Sequence, residues 1–134
     1  MKKILAILMV SLFVAAFAWA ADDLFKKIDQ DSDGKISKQE YLDAVAGKFA
    51  KRDINSDGIL SREEILAVDK INAEKFIKKL DRDNDGTVVK KEFMDTAAKQ
   101  FRTLDKNADG YIDAKEWREA HMAPKSPMFI LFTF

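Results

Sequence analysis

The apolar positions of this chain fall into three patterns. They run almost unbroken from Ile4 to Ala18, recur at intervals between polar clusters from 22 to 122, and run together again from Met128 to Phe134. In the central stretch, Phe25 and Ile28, Phe49, Ile77 and Leu80, and Phe101 and Leu104 stand just ahead of successive polar clusters. Their spacing predicts helices with one buried face. Tyr41, Ile65, Phe93 and Trp117 stand just after the clusters, where helical spacing assigns them to a core rather than to a ligand box. The central stretch is thus expected to be all-α.

The two ends read differently. Lys2 and Lys3 precede the first apolar run, and Ala18-Trp19-Ala20 follows the small-x-small rule for a processing site, so residues 1–20 are expected to be a cleaved signal peptide. The competing reading is a membrane anchor, but 15 apolar residues fall short of the roughly 20 a span requires. The short Lys-Lys leader points to the periplasm or secretion, with no membrane span in the mature chain. After the helical domain (21–123), the tail (124–134) is too short to span a bilayer and unusually apolar. Folding back on the core, an aggregation-prone end and a built-in ligand all stay open for it.

Charge narrows the partners. Of 23 Lys and Arg, two lie in the leader, leaving 21 against 23 Asp and Glu, a net −2. That balance offers no basic excess for nucleic acid. The chain has no Cys, so a small exported domain of this kind needs a staple other than a disulfide, and metal is the usual one.

The polar clusters supply it. DQDSDGKISKQE (29–40), DINSDGILSREE (53–64), DRDNDGTVVKKE (81–92) and DKNADGYIDAKE (105–116) all fit D-x-[DN]-x-[DN]-G-x5-E. Ca²⁺ takes six to eight oxygens at roughly 2.3–2.6 Å. Loop positions 1, 3 and 5 offer converging side-chain oxygens: Asp29, Asp31 and Asp33; Asp53, Asn55 and Asp57; Asp81, Asp83 and Asp85; Asp105, Asn107 and Asp109. Position 7 offers a backbone carbonyl, from Lys35, Ile59, Thr87 or Tyr111. Position 9 offers Ser37, Ser61 or Asp113, but Val89 in the third loop. Position 12 is Glu40, Glu64, Glu92 or Glu116, long enough to bind through both oxygens and favouring Ca²⁺ over Mg²⁺. A lone cluster of this kind would read as a solvated turn; four complete copies do not.

The chain therefore resembles the EF-hand calcium-binding superfamily over nearly all of residues 22–122, and in particular small exported bacterial proteins with four EF-hands. The resemblance implies four helix-loop-helix motifs, loops that pair through short strands, and Ca²⁺ as the bound ion. The aliphatic residue at position 8, Ile36, Leu60, Val88 or Ile112, suits such a strand. The sequence departs from familiar paired hands in its loop spacing of 24, 28 and 24 residues. Only twelve residues separate loops 1 and 2, and likewise 3 and 4, which predicts one shared helix in each gap. A helix from about Lys38 to Arg52 is roughly 22 Å long, far beyond the strand spacing of about 4.8 Å. The longer middle gap holds two short helices, with Asn72 capping the second. Loop 2 is accordingly expected to pair with loop 3, and loop 1 with loop 4. The alternative breaks the first shared helix at Gly47 and pairs 1 with 2. Contact between Leu60 and Val88 distinguishes the first arrangement, and contact between Ile36 and Leu60 the second.

Three details qualify the sites. Asn55 leaves loop 2 one carboxylate short, Val89 alters the affinity of loop 3, and Arg52 stands where the other copies have an apolar residue, which is expected to loosen packing. Four ions would take the mature chain from −2 to about +6 and stabilise it strongly. The expected role is a buffer or calcium-stabilised module. The alternative is a sensor that exposes a groove for a protein or peptide partner, against which the two methionines of the domain, Met94 and Met122, weigh mildly. An enzyme is not expected, since the carboxylates are committed to metal and His121 stands alone.

Overall fold

The computed structural model describes residues 22–68 and 72–122. The leader and the tail lie outside these residues, as do 69–71. A helix over 22–28 (α1) leads into the first loop. Then follow β1 (Lys35–Ser37), α2 (Lys38–Arg52), β2 (Ile59–Leu60), α3 (Arg62–Val68), α4 (Ala73–Leu80), β3 (Val88–Val89), α5 (Lys90–Leu104), β4 (Tyr111–Asp113) and α6 (Ala114–Met122). The fold is mostly helical with short strands. No helix among the described residues is long and apolar enough to cross a membrane.

Local chemistry sets these boundaries. Ser37 caps α2 by accepting from the Glu40 amide, while Glu40 reaches back to the Ser37 amide, a reciprocal box that satisfies two otherwise orphaned N–H groups. Asn72 caps α4 through the Lys75 amide at 2.9 Å, as its position in the sequence predicts. Both fifteen-residue helices are continuous. Gly47 does not break α2, because its intrahelical cost is about 1 kcal/mol and the flanking Val45 and Phe49 are both buried.

Helices α2 and α5 form the centre and run antiparallel. Tyr41, in the first turn of α2, meets Phe101 in the last turn of α5 with ring centroids 5.6 Å apart, and Phe49 meets Phe93 at 5.4 Å. The Tyr41 hydroxyl donates to Gln100 Oε1 at 3.2 Å in a buried setting, which pins the register of the two helices. Burial pushes the Tyr41 phenol well above its ordinary range, so the hydroxyl keeps its proton and its donor role. Outside this pair, α1 meets α6 through Phe25 and Trp117 at 5.8 Å, and α4 meets α5 through Phe76 and Phe93 at 6.3 Å. All four residues that follow the loops, Tyr41, Ile65, Phe93 and Trp117, are fully buried. Each such side chain removed from water stabilises the fold by about 1.5–3 kcal/mol.

The strands form two separate two-stranded antiparallel sheets, β1 with β4 and β2 with β3. Ile36 faces Ile112 in one, and Leu60 faces Val88 in the other. Loop 2 therefore pairs with loop 3 and loop 1 with loop 4, the arrangement the loop spacing favours over a break at Gly47. Because β1 and β2 flank opposite ends of α2, the two sheets cap opposite ends of the central helix pair.

One expectation is corrected. Arg52 does not loosen its surroundings: it is 2 % exposed, its guanidinium lies over the Phe76 ring at 5.6 Å, and Nη1 donates to the Lys48 carbonyl at 3.2 Å. An arginine can fill an apolar slot in this way because its stem packs like an aliphatic chain while the planar head stacks on an aromatic face.

Candidate calcium-binding loops

Each loop is wound around the carboxylate at position 1. Asp29, Asp53, Asp81 and Asp105 follow the ends of α1, α2, α4 and α5, and the amides of all four still donate back into their helices. One oxygen of each accepts from the position-6 glycine amide at 2.9–3.0 Å: Gly34 to Asp29, Gly58 to Asp53, Gly86 to Asp81, Gly110 to Asp105. In loops 1, 2 and 4 the other oxygen accepts from the position-5 amide at 3.0–3.1 Å. Loop 3 differs, with Asp81 Oδ1 accepting from Asn84 at 2.6 Å. The position-5 carboxylate accepts from the position-7 amide at 2.8–2.9 Å in every loop.

This winding needs two left-handed residues per loop. The glycines at position 6 have φ of +80° to +87°. The residues at position 4, Ser32, Ser56, Asn84 and Ala108, have φ of 58–61°. Position 4 has no shared residue type that announces this conformation. Asn84 carries a signal for this conformation, since asparagine tolerates it, but Ala108 carries none.

Position 12 closes the loop. One oxygen of Glu40, Glu64, Glu92 and Glu116 accepts from the position-2 amide, that of Gln30, Ile54, Arg82 or Lys106, at 2.8–3.0 Å. The other accepts from the position-9 amide, that of Ser37, Ser61, Val89 or Asp113, at 2.8–3.1 Å. The position-9 side chains divide the loops. Ser37 and Ser61 each donate a hydroxyl to the same glutamate at 2.8 Å, and Asp113 caps α6 by accepting from the Glu116 amide at 2.8 Å. Val89 can do neither, so only its amide remains. The carbonyl residues Lys35, Ile59 and Tyr111 open β1, β2 and β4, and Thr87 immediately precedes β3.

The electrostatics follow from this crowding. The Ser61 amide and hydroxyl, with the Asn55 and Ile54 amides, outweigh desolvation and hold the Glu64 carboxyl below the usual range. Glu40 is depressed in the same way: desolvation opposes ionisation, but the donors of Ser37, Gln30 and Asp31 prevail. Asp31 goes the other way. The Asp33 amide favours its ionised form, yet desolvation and the Asp33 and Glu40 carboxylates push it up. Asp83 is raised likewise, with the Asp85 amide outweighed by desolvation and the Asp85 and Glu92 charges. Position 3 is thus strained by like charge where it is Asp, in loops 1 and 3; loops 2 and 4 have neutral Asn there.

The arrangement fits a divalent cation. Carboxylate oxygens of Asp29, Asp31 and Glu40, and of Asp81, Asp83 and Asp85, lie within 4.8 Å of one another. Oxygens on opposite sides of a calcium ion at roughly 2.4 Å would be about that far apart. His121, half-buried, lies apart from these loops, its Nδ1 2.9 Å from the Trp117 carbonyl and its ring against the indole.

The EF hand family model matches residues 21–45 and 97–121, which contain loops 1 and 4, the two joined by β1 and β4. Loops 2 and 3 lie outside those matches, as do Arg52, just ahead of loop 2, and Val89 in loop 3, the departures already described. No curated protein matches the chain. The two matches support the EF-hand superfamily over those stretches, and the acidic groups gathered in loops 1 and 3 are compatible with calcium.

Proposed function

We propose that this is an exported protein that coordinates up to four Ca²⁺, one in each EF-hand loop, and acts as a calcium buffer or calcium-stabilised module. The observation that carries the reading is the shared winding of all four loops, in which positions 1, 5 and 12 repeat nearly the same hydrogen bonds. Side-chain oxygens at positions 1, 3, 5 and 12, with a carbonyl at position 7, would hold each ion. Bound calcium would supply the positive charge that the crowded carboxylates lack. Lys2, Lys3, the apolar run and Ala18-Trp19-Ala20 support export to the periplasm or beyond.

The closed core favours a buffer or module over a sensor. The sensor reading rests on α3, where Leu66 and Val68 are 52 % and 43 % exposed. A hydrophobic dye that binds only the calcium-loaded form would select it. Calorimetric titration with Ca²⁺, with and without Mg²⁺, tests the main reading: up to four ions should bind, and millimolar calcium should raise the melting temperature well above its value in chelator. Equal melting temperatures would overturn it.

A further inference from the structure

We propose that the four loops are coupled in a closed ring, so that occupancy of one loop raises the affinity of two neighbours and leaves the loop opposite least affected. The inference rests on the calcium reading above and concerns how those sites regulate one another.

Two kinds of link make the ring. The first is the strand pair. Ile36 of loop 1 faces Ile112 of loop 4, and Leu60 of loop 2 faces Val88 of loop 3. Loops 2 and 3 are tied further by the Lys90 amide, which donates to the Gly58 carbonyl at 3.0 Å. The second link is the shared helix. Helix α2 carries Glu40, the closing carboxylate of loop 1, in its first turn and ends on Asp53, the first carboxylate of loop 2. Helix α5 carries Glu92 of loop 3 in its first turn and ends on Asp105 of loop 4. Each helix is continuous over fifteen residues, so a shift of the closing glutamate is carried along a rod to the first ligand of the next loop.

The order of links is therefore strand, helix, strand, helix, and it closes on itself: loop 1 to 4 by strand, 4 to 3 by α5, 3 to 2 by strand, 2 to 1 by α2. Loops 1 and 3 share neither link, and neither do loops 2 and 4. The rods are braced against each other at both ends by the Tyr41–Gln100 bond with the Tyr41–Phe101 contact, and by the Phe49–Phe93 contact.

The glycines allow a site-by-site test. The chain has five, of which Gly34, Gly58, Gly86 and Gly110 each donate to the first carboxylate of one loop, and Gly47 lies within α2. The full chain labelled with nitrogen-15 glycine should give one amide signal per loop, followed by NMR as calcium is added. In Glu92→Gln, the loop 3 midpoint should rise, and the midpoints of Gly58 and Gly110 should rise by about fivefold or more, the low end of ordinary coupling between sites. Gly34 should move least. Glu40→Gln should raise Gly58 and Gly110 in the same way and spare Gly86, which keeps the test open if one variant does not fold. A response confined to the strand partner, to the mutated loop alone, or spread equally over all three others would overturn the ring. Absence of any glycine response in the unaltered chain would instead overturn the calcium reading itself.

Discussion

Ala108 and Gly110 stand two residues apart in loop 4, both with positive φ, at 58° and 87°. Only one of them is a residue suited to that conformation. An L-residue with a Cβ in the left-handed region costs about 1–2 kcal/mol, and Ala108 is exposed, so no packing compensates. Ala108→Gly should remove that cost while adding about 0.4–1 kcal/mol of unfolded-chain entropy, a net stabilisation of about 0.5–1 kcal/mol. Gly110→Ala should do the reverse. A Cβ there meets nothing within 4 Å, so its penalty is conformational rather than steric contact, about 1–2 kcal/mol less the entropy term. For a domain of about a hundred residues, 1 kcal/mol moves the melting temperature by roughly 4–8 °C. Thermal unfolding in chelator, followed by far-ultraviolet circular dichroism, should show the two variants moving in opposite directions. If both shift the same way, or Ala108→Gly lowers the midpoint, backbone strain at position 4 is not the controlling term.

Val89→Ser should restore to loop 3 the hydroxyl that Ser37 and Ser61 give their glutamates, tightening calcium binding in calorimetry; its cap is worth about 1 kcal/mol, offset in chelator by lost apolar burial. Asp31→Asn and Asp83→Asn should raise the melting temperature in chelator and lower it in calcium. Because the folded state raises both carboxyls, each subtracts metal-free stability as pH rises from its unfolded range toward neutrality, against the gain from the depressed Glu40 and Glu64, so the two variants should gain stability relative to the unaltered chain over that range. Arg52→Ala should cost about 2–3 kcal/mol through lost packing and stacking, read by urea unfolding, whereas Arg52→Leu, which matches Leu80 and Leu104 at the same place, should cost less.

Much of this architecture could be read from spacing alone. Twelve residues between loops leave room for one helix only, and a fifteen-residue helix is too long to let its two loops share a sheet. The facing of Leu60 and Val88 follows from that arithmetic. The buried positions Tyr41, Ile65, Phe93 and Trp117 follow from helical period. What could not be read depends on tertiary context. Arg52 looked like a misfit because its charge was visible and its neighbour was not; Phe76, 24 residues on, is what makes the slot habitable. The left-handed turn at position 4 was hidden because Ser, Ser, Asn and Ala share no residue type that demands it. The position-12 glutamates were legible as ion ligands, but not as acceptors for amides at the start of their own loops.

The pairing of the outer strands bears on how the chain must be assembled in time. Leu60 and Val88 are 28 residues apart, and Ile36 and Ile112 are 76. Closing the larger span costs about 0.9 kcal/mol more entropy if each forms independently, so the inner sheet is the natural nucleus. A chain made from its N-terminus cannot complete either sheet until the third loop is available, and its first loop must wait unpaired until nearly the last helix. Cutting the chain between α3 and α4 would yield not two half-sized domains but two fragments, each holding one strand of either sheet. The first half should therefore wait with its core face uncovered until the second half arrives to complete it.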